Sequence, residues 1–290
     1  MRIAALYDIH GNLPALEAVL AAVRRAGADR IVVGGDVLPG PMPRETLACL
    51  LELSIPVEFL RGNGETALLA QMAGRDLGKL PEQAREALQW VAEQLQPAHE
   101  RLVARWPPTL RIAIPGPGDV LFCHATPRSD TEIFTRLTPE QRLRPIFQGL
   151  GVPLVVCGHT HMQFDRAVGA TRVVNAGSVG MPFGAPGACW LLLGPDVELR
   201  HTPYDLPAAA ARIRSTSYPQ AQEFAQHSVL QPPTEAEMLA HYSKTESEKY
   251  CAPSAGSHYS QRSLYVIAEP ECWTSALRSS AITTDRDDRT

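Results

Sequence analysis

Five apolar runs in this chain end on residues that bind metals well, and that pattern restricts the fold more than any other feature. The first is the strand-like RIAALY, which leads into Asp8, Ile9, His10, Gly11 and Asn12. Further on, IVVGGD ends on Asp36, VEFLRGN on Asn63 and VLFCH on His124, while LVVCG is followed by His159 and His161. Side chains of an extended backbone alternate between faces, so Asp8 and His10 are expected on the same side of a strand end. Between the first two runs, Leu13, Leu16, Val19, Leu20 and Val23 recur at the spacing of an amphipathic helix, with Pro14 in its first turn and Gly27 past its end. Strand, helix, strand within a few tens of residues implies a right-handed crossover between parallel strands. Asp36 then falls on the same carboxyl edge as Asp8, the edge where open α/β sheets bind ligands.

The remaining elements follow the same grammar. A helix is expected over 44–53 and a strand over 57–60, then helical stretches at 65–74 and 81–105 that form a cap beside the sheet (about 65–106), ended by Pro107 and Pro108. LRIAIP and VLFCH read as two strands joined by a GPGD turn, 138–149 as a crossover helix and 153–157 as a strand. A hairpin over 164–178, strands at 188–193 and 197–201 and a helix over 206–215 complete a domain expected to run from 1 to 243. The sum is an α/β architecture of two facing sheets with helices outside and ligands at one edge. From Lys244 to residue 290 the apolar periodicity fades into Ser, Thr and charge, which predicts a weakly structured tail, with SLYVI at 263–267 as a possible edge strand.

Composition narrows the class. At 290 residues, 44% hydrophobic, 20% charged and a net charge of -4, the chain has the make-up of an ordinary soluble globular protein with no basic excess to demand a nucleic-acid partner. A membrane span and a secretory leader are not expected, so a cytoplasmic setting is, with Cys123, Cys157 and Cys189 as reduced residues of apolar strands. Assembly into a homo-oligomer is left open.

Carboxylate, imidazole and amide donors without thiolates suit two borderline divalent cations better than a cysteine-rich structural zinc. The ordered motifs DIHGN, VVGGDV, RGN, FCHATP and CGHTHMQ, with NAGSVGMP at 175–182, resemble the calcineurin-like metallophosphoesterases, and among them the small prokaryotic phosphodiesterase branch. The resemblance covers about residues 1–205 and implies a four-layer αββα sandwich of two mixed sheets. It also implies that Asp8, His10 and His161 hold one cation and Asn63, His124 and His159 a second, with Asp36 bridging. Asp36, Asn63 and His124 would then be central to catalysis, Mn²⁺ would be the favoured ion, and Zn²⁺, Fe²⁺, Ni²⁺ or Co²⁺ would be usable. A hydroxide bridging the cations would attack phosphorus of a small phosphoester.

One position departs from the pattern. Many members follow the GN motif with a His that protonates the leaving group, and Gly64 stands there, followed by Glu65. Members lacking this His are similar to enzymes that favour diesters, and Gly64→His is expected to help poor leaving groups. Asn63, Arg61 and Arg128 are candidates for binding the substrate phosphate. Asn12 is expected to pin its own loop, and Tyr7, where Ser or Thr is common, to affect packing. The glycines of NAGSVGMPFGAPG read equally as an anion-binding loop or as tight turns. His99, His201, His227, His241 and His258 lack the motif spacing. A phosphomonoesterase, a nucleotide or protein phosphatase, and a non-catalytic protein-binding scaffold of the same fold remain alternatives.

Overall fold

The structure, a computed structural model, describes residues 1–78 and 80–251. The opening crossover is formed by β1 (Ile3–Leu6), α1 (Leu13–Arg25) and β2 (Arg30–Val33), with β1 and β2 parallel. Asn12 caps α1, its side chain accepting from the Ala15 amide at 3.2 Å and donating to the Gly180 carbonyl at 2.8 Å. After α2 (Pro43–Leu51), β3 (Val57–Phe59) extends the sheet parallel to β2. On the other side of β1, β9 (Ala188–Leu193) pairs antiparallel with β1 and β10 (Val197–Thr202) antiparallel with β9, which gives the order β10-β9-β1-β2-β3. The second sheet has the order β4-β5-β6-β8-β7, from β4 (Thr109–Ile114), β5 (Gly118–Cys123), β6 (Leu154–Cys157), β7 (Phe164–Val168) and β8 (Thr171–Asn175). Its centre is parallel and its two edges are antiparallel hairpin partners.

Alternation along β1 divides the core into layers. Ile3, Ala5 and Tyr7 face the second sheet and meet Phe122, Val156 and Val174, whereas Ala4 and Leu6 face outward onto Leu16 and Val19 of α1. On the far side of the second sheet, Leu121, Val155 and Val173 bury against Leu143, Ile146 and Phe147 of α6 (Glu140–Phe147). Helix, sheet, sheet and helix therefore stack as four layers. No helix of the described residues is long and apolar enough to cross a membrane.

The expected helix over 81–105 is two, α4 (Glu82–Gln94) and α5 (Pro97–Val103), because Pro97 has no amide hydrogen with which to continue the first. With α3 (Asn63–Met72) they join the outer helical layer, sharing through Leu68, Leu88, Val91 and Val103 the cluster that covers β1 and β2. Beyond α7 (Leu206–Arg214) the chain adds α8 (Ala221–Phe224), a π-helical turn over Ala225–Leu230 and α9 (Glu235–Cys251), none anticipated. Helix α9 runs through Lys244 to Cys251; the rest of 244–290, with the segment 263–267 and His258, lies outside the described residues.

Tyr7 crosses the space between the sheets and donates its hydroxyl to the Val156 carbonyl at 3.1 Å. A Cβ at Gly34 would lie 1.9 Å from the Tyr7 ring, and one at Gly158 would lie 2.5 Å from it. The tyrosine therefore requires glycine on both neighbouring strand ends. Gly34→Ala should cost about 1–3 kcal/mol by overpacking. Combined with Tyr7→Ala it should cost clearly less than the sum of the two single changes in a denaturant double-mutant cycle, whereas strict additivity would contradict the contact.

Candidate metal centre

All seven ligand-type side chains come together at the carboxyl ends of β1, β2, β5 and β6 and at the start of α3, each 5% exposed or less. Among the described residues the non-glycine positions with positive φ are Asp8 (53°), His10 (48°), Asp36 (52°), His159 (68°) and His161 (57°), all members of this set. Left-handed backbone is unfavourable for an L-residue and persists where the surroundings enforce it, commonly at functional sites. Here it turns each side chain off the end of its strand toward a common centre.

Distances describe a tight cluster. His10 Nε2 lies 3.3 Å from His161 Nε2, His161 Nε2 lies 3.4 Å from Asp8 Oδ1, and His124 Nε2 lies 3.8 Å from the same oxygen. Asp36 Oδ2 sits 3.8 Å from His10 Nε2 and 3.6 Å from His124 Nε2. Asn63 Oδ1 is 2.9 Å from His124 Nε2, and His159 packs edge-on to His124 with ring centroids 5.2 Å apart. Two groups of ligand atoms, Asp8 with His10 and His161 and Asp8 with Asp36 and His124, each lie within 4.8 Å of one another. Asp8 is common to both groups, and Asp36 belongs to the second, its other oxygen, Oδ1, accepting from the Gly64 amide at 2.7 Å.

The donor set fits a divalent cation. Asp8 Oδ1 is buried without a hydrogen bond, an arrangement that costs free energy unless a cation completes it. Burial opposes ionisation of Asp8, but His161, then His124 and His10, outweigh it and hold the carboxyl below its ordinary value. Burial and the neighbouring His161 push His10 down to about 3, leaving a neutral imidazole able to ligate. Burial also opposes the charged form of His124, yet Asp36 and Asp8 raise it to about 9, so it must give up a proton before it can ligate. Carbonyls of Gly34 and Met181 accept from Nδ1 of His124 and His161 at 3.0 and 2.8 Å, which directs both Nε2 atoms to the cluster.

Two supports escaped the sequence reading. Glu65 is fully buried and its carboxylate accepts from the amides of Asp36 (2.9 Å), Leu38 (2.9 Å) and Gly62 (2.8 Å), tying the loop after β2 to the start of α3. On the opposite flank Ser178 donates to the Asp8 carbonyl at 2.7 Å and accepts from the Met181 amide. An acidic residue three places into a helix and a serine within a glycine run are the signals that could have found them.

Several expectations change. The glycine-rich segment after β8 turns its amides inward, Val179 and Gly180 donating to the Tyr7 and Asp8 carbonyls, so it clamps the end of β1 instead of cradling an anion. A Cβ at Gly64 would lie 2.3 Å from the Leu38 carbonyl oxygen, so backbone already fills the space where a histidine would begin, and Gly64→His is barred on steric grounds. Arg128 is exposed and its Nε donates to Glu132 at 2.9 Å, so it would have to exchange that carboxylate for a phosphate oxygen. Arg61 is half-buried and its backbone amide donates to the Pro107 carbonyl at 3.0 Å. His201 lies by the Pro186 carbonyl at 3.1 Å, and the Gln96 amide donates to His99 Nδ1.

Glu65→Ala should strand three buried amides. At about 1–3 kcal/mol for each unsatisfied group the loss should reach at least about 3 kcal/mol in urea unfolding of the metal-free protein, and a variant as stable as the native chain would contradict this role.

A profile for the calcineurin-like phosphoesterase superfamily domain matches residues 1–195. The chain is 24% identical over 238 residues to the uncharacterized protein MJ0912 of Methanocaldococcus jannaschii, covering 75% of this chain and 94% of that one. Its fold is similar to the hypothetical protein PH1004 of Pyrococcus horikoshii OT3, with TM-score 0.66, 20% identity, and 80% and 99% of the two chains covered. A metallophosphoesterase from Sphaerobacter thermophilus aligns with TM-score 0.60 and 27% identity over 78% of this chain and 97% of that one. The two-sheet fold, the ordered motifs and the profile match agree: this chain belongs to the calcineurin-like phosphoesterase superfamily.

Proposed function

We propose that this protein is a metal-dependent phosphodiesterase whose site is built from Asp8, His10, Asp36, Asn63, His124, His159 and His161. The observation that carries the reading is the convergence of these buried donors, five of them on left-handed backbone, around an unpartnered carboxylate oxygen. Asp8, His10 and His161 would hold one cation and Asn63, His124 and His159 a second, with Asp36 shared between them. Mn²⁺ is favoured, and Zn²⁺, Fe²⁺, Ni²⁺ or Co²⁺ suit the same donors. Bound there, two cations supply an acidified water as nucleophile and screen the charge that grows on the phosphoryl oxygens.

The protein's own groups orient this chemistry. The Gly64 amide fixes Asp36 by Oδ1 and leaves Oδ2 toward His10 and His124. Arg61, and Arg128 once freed from Glu132, are the candidate contacts to the phosphate. A diester is favoured over a monoester because position 64 has no room for an imidazole that could protonate a poor leaving group.

Protein stripped of metal should be inactive and regain turnover of a chromogenic diester, more than of the matching monoester, when Mn²⁺ is added back. No rescue by any of the five ions would overturn the metal reading, and a monoester preference would overturn the diester assignment alone. Asp36→Ala should abolish both metal content and turnover while His99→Ala stays near native; equal effects would mean the site lies elsewhere. Because His124 holds its proton up to about 9, metal uptake should tighten as pH rises from 6.5 toward 9, with proton release measurable in weakly buffered dye. In the metal-free protein the sign reverses, and the stability contributed by charged His124 is complete below 6.5 and is lost as pH rises through about 9.

A further inference from the structure

Helix α9 lies beyond the stretch matched to the superfamily, residues 1–195, yet it packs against one side of the cluster. Its residues Met238, Leu239 and Tyr242 bury against Met162 and Phe183, with Ile133 at the margin. Phe183 in turn stacks on His161, ring centroids 5.2 Å apart and planes inclined by 26°. Its amide donates to the His161 carbonyl at 3.2 Å, and Met181, two residues earlier, accepts from His161 Nδ1 at 2.8 Å. The start of α9 is fastened at two further points, where the Gly184 amide donates to the Pro233 carbonyl at 2.8 Å and Arg136 pairs with Glu235 at 2.6 Å. Thr234 and Glu237 close it with a reciprocal cap.

We propose that α9 is a positioning element for His161, acting through Phe183; the proposal rests on the metal reading above. Met181 fixes the tautomer of the imidazole but leaves the ring able to rock about that hydrogen bond. The Phe183 face removes this freedom, and α9 prevents Phe183 from backing away. Shortening a side chain of α9 beneath Phe183 opens a space into which the ring relaxes, and His161 follows. The cation held by His161 loses a preorganised donor, while the one held by His124 and His159 does not.

The test is calorimetric and spectroscopic titration of Co²⁺ into chelator-treated, full-length protein. In Leu239→Ala and in Phe183→Leu, one equivalent should bind as in the native protein and the other about 10- to 100-fold more weakly, with an altered Co²⁺ absorption band. Leu20→Ala, an equal truncation in α1, should lower thermal stability to a similar degree and leave both equivalents native; Leu239→Met, which keeps the volume, should restore the weakened one. Native affinity at both equivalents in Leu239→Ala, or the same weakening in Leu20→Ala, would overturn the proposal. If Leu239→Ala fails to unfold cooperatively, Phe183→Leu decides, and native binding there overturns it as well. Wild-type protein that takes up no Co²⁺ defeats the metal reading itself, and this proposal with it.

Discussion

The loop after β2 and the first turn of α3 belong to segments about thirty residues apart, and one carboxylate holds them in register. Glu65 collects the amides of Asp36, Leu38 and Gly62, so the direction of Asp36 and the position of Asn63 are set by the same group. Burial holds the Glu65 carboxyl above its ordinary value, and the three amide donors work against that by replacing its lost water. Ser178 performs the matching task on the β1 side, holding the carbonyl of Asp8. The cluster is therefore gripped from both flanks by side chains that are not themselves ligand candidates. That grip is what allows five left-handed residues to persist in one place.

Behind this rim the two sheets supply convergence rather than chemistry. Parallel neighbours β1 and β2 end on the same edge, as do β5 and β6. Tyr7 bridges the two sheets, its ring packed against Gly34 and Gly158 and its hydroxyl donating to the Val156 carbonyl. The superfamily profile matches the chain as far as residue 195, and β10 with the helices that follow lies past that match. Of these, helix α9 reaches the frame's working edge, through Phe183.

Much of this was legible in the amino-acid order. Continuous apolar runs marked the buried strands, and polar endings at Asp8, Asp36, Asn63, His124 and His159 marked the edge, because a ligand-type residue at the end of an apolar run breaks its pattern. Left-handed backbone was not legible, since no aspartate or histidine announces its φ. The role of the glycine run stayed open between an anion loop and tight turns because its neighbours decide: Gly180 looks free to present an amide until Asp8 is seen to accept it. Two short apolar stretches, Phe224 to Leu230 and Met238 to Tyr242, fell below the length at which periodicity is persuasive. Their helices form because a pre-existing surface receives them.

The carbonyl of Leu38, seated where a side chain at position 64 would begin, bears on how such an enzyme can change over generations. A histidine arriving there first would meet backbone and be lost to selection, however useful its proton. The loop from Leu38 to Gly40 would have to retreat beforehand, a movement constrained by the Glu65 grip on the Leu38 amide. A proton donor at position 64 therefore takes two changes in a fixed order, the loop first and the side chain second, so that no single altered codon supplies it.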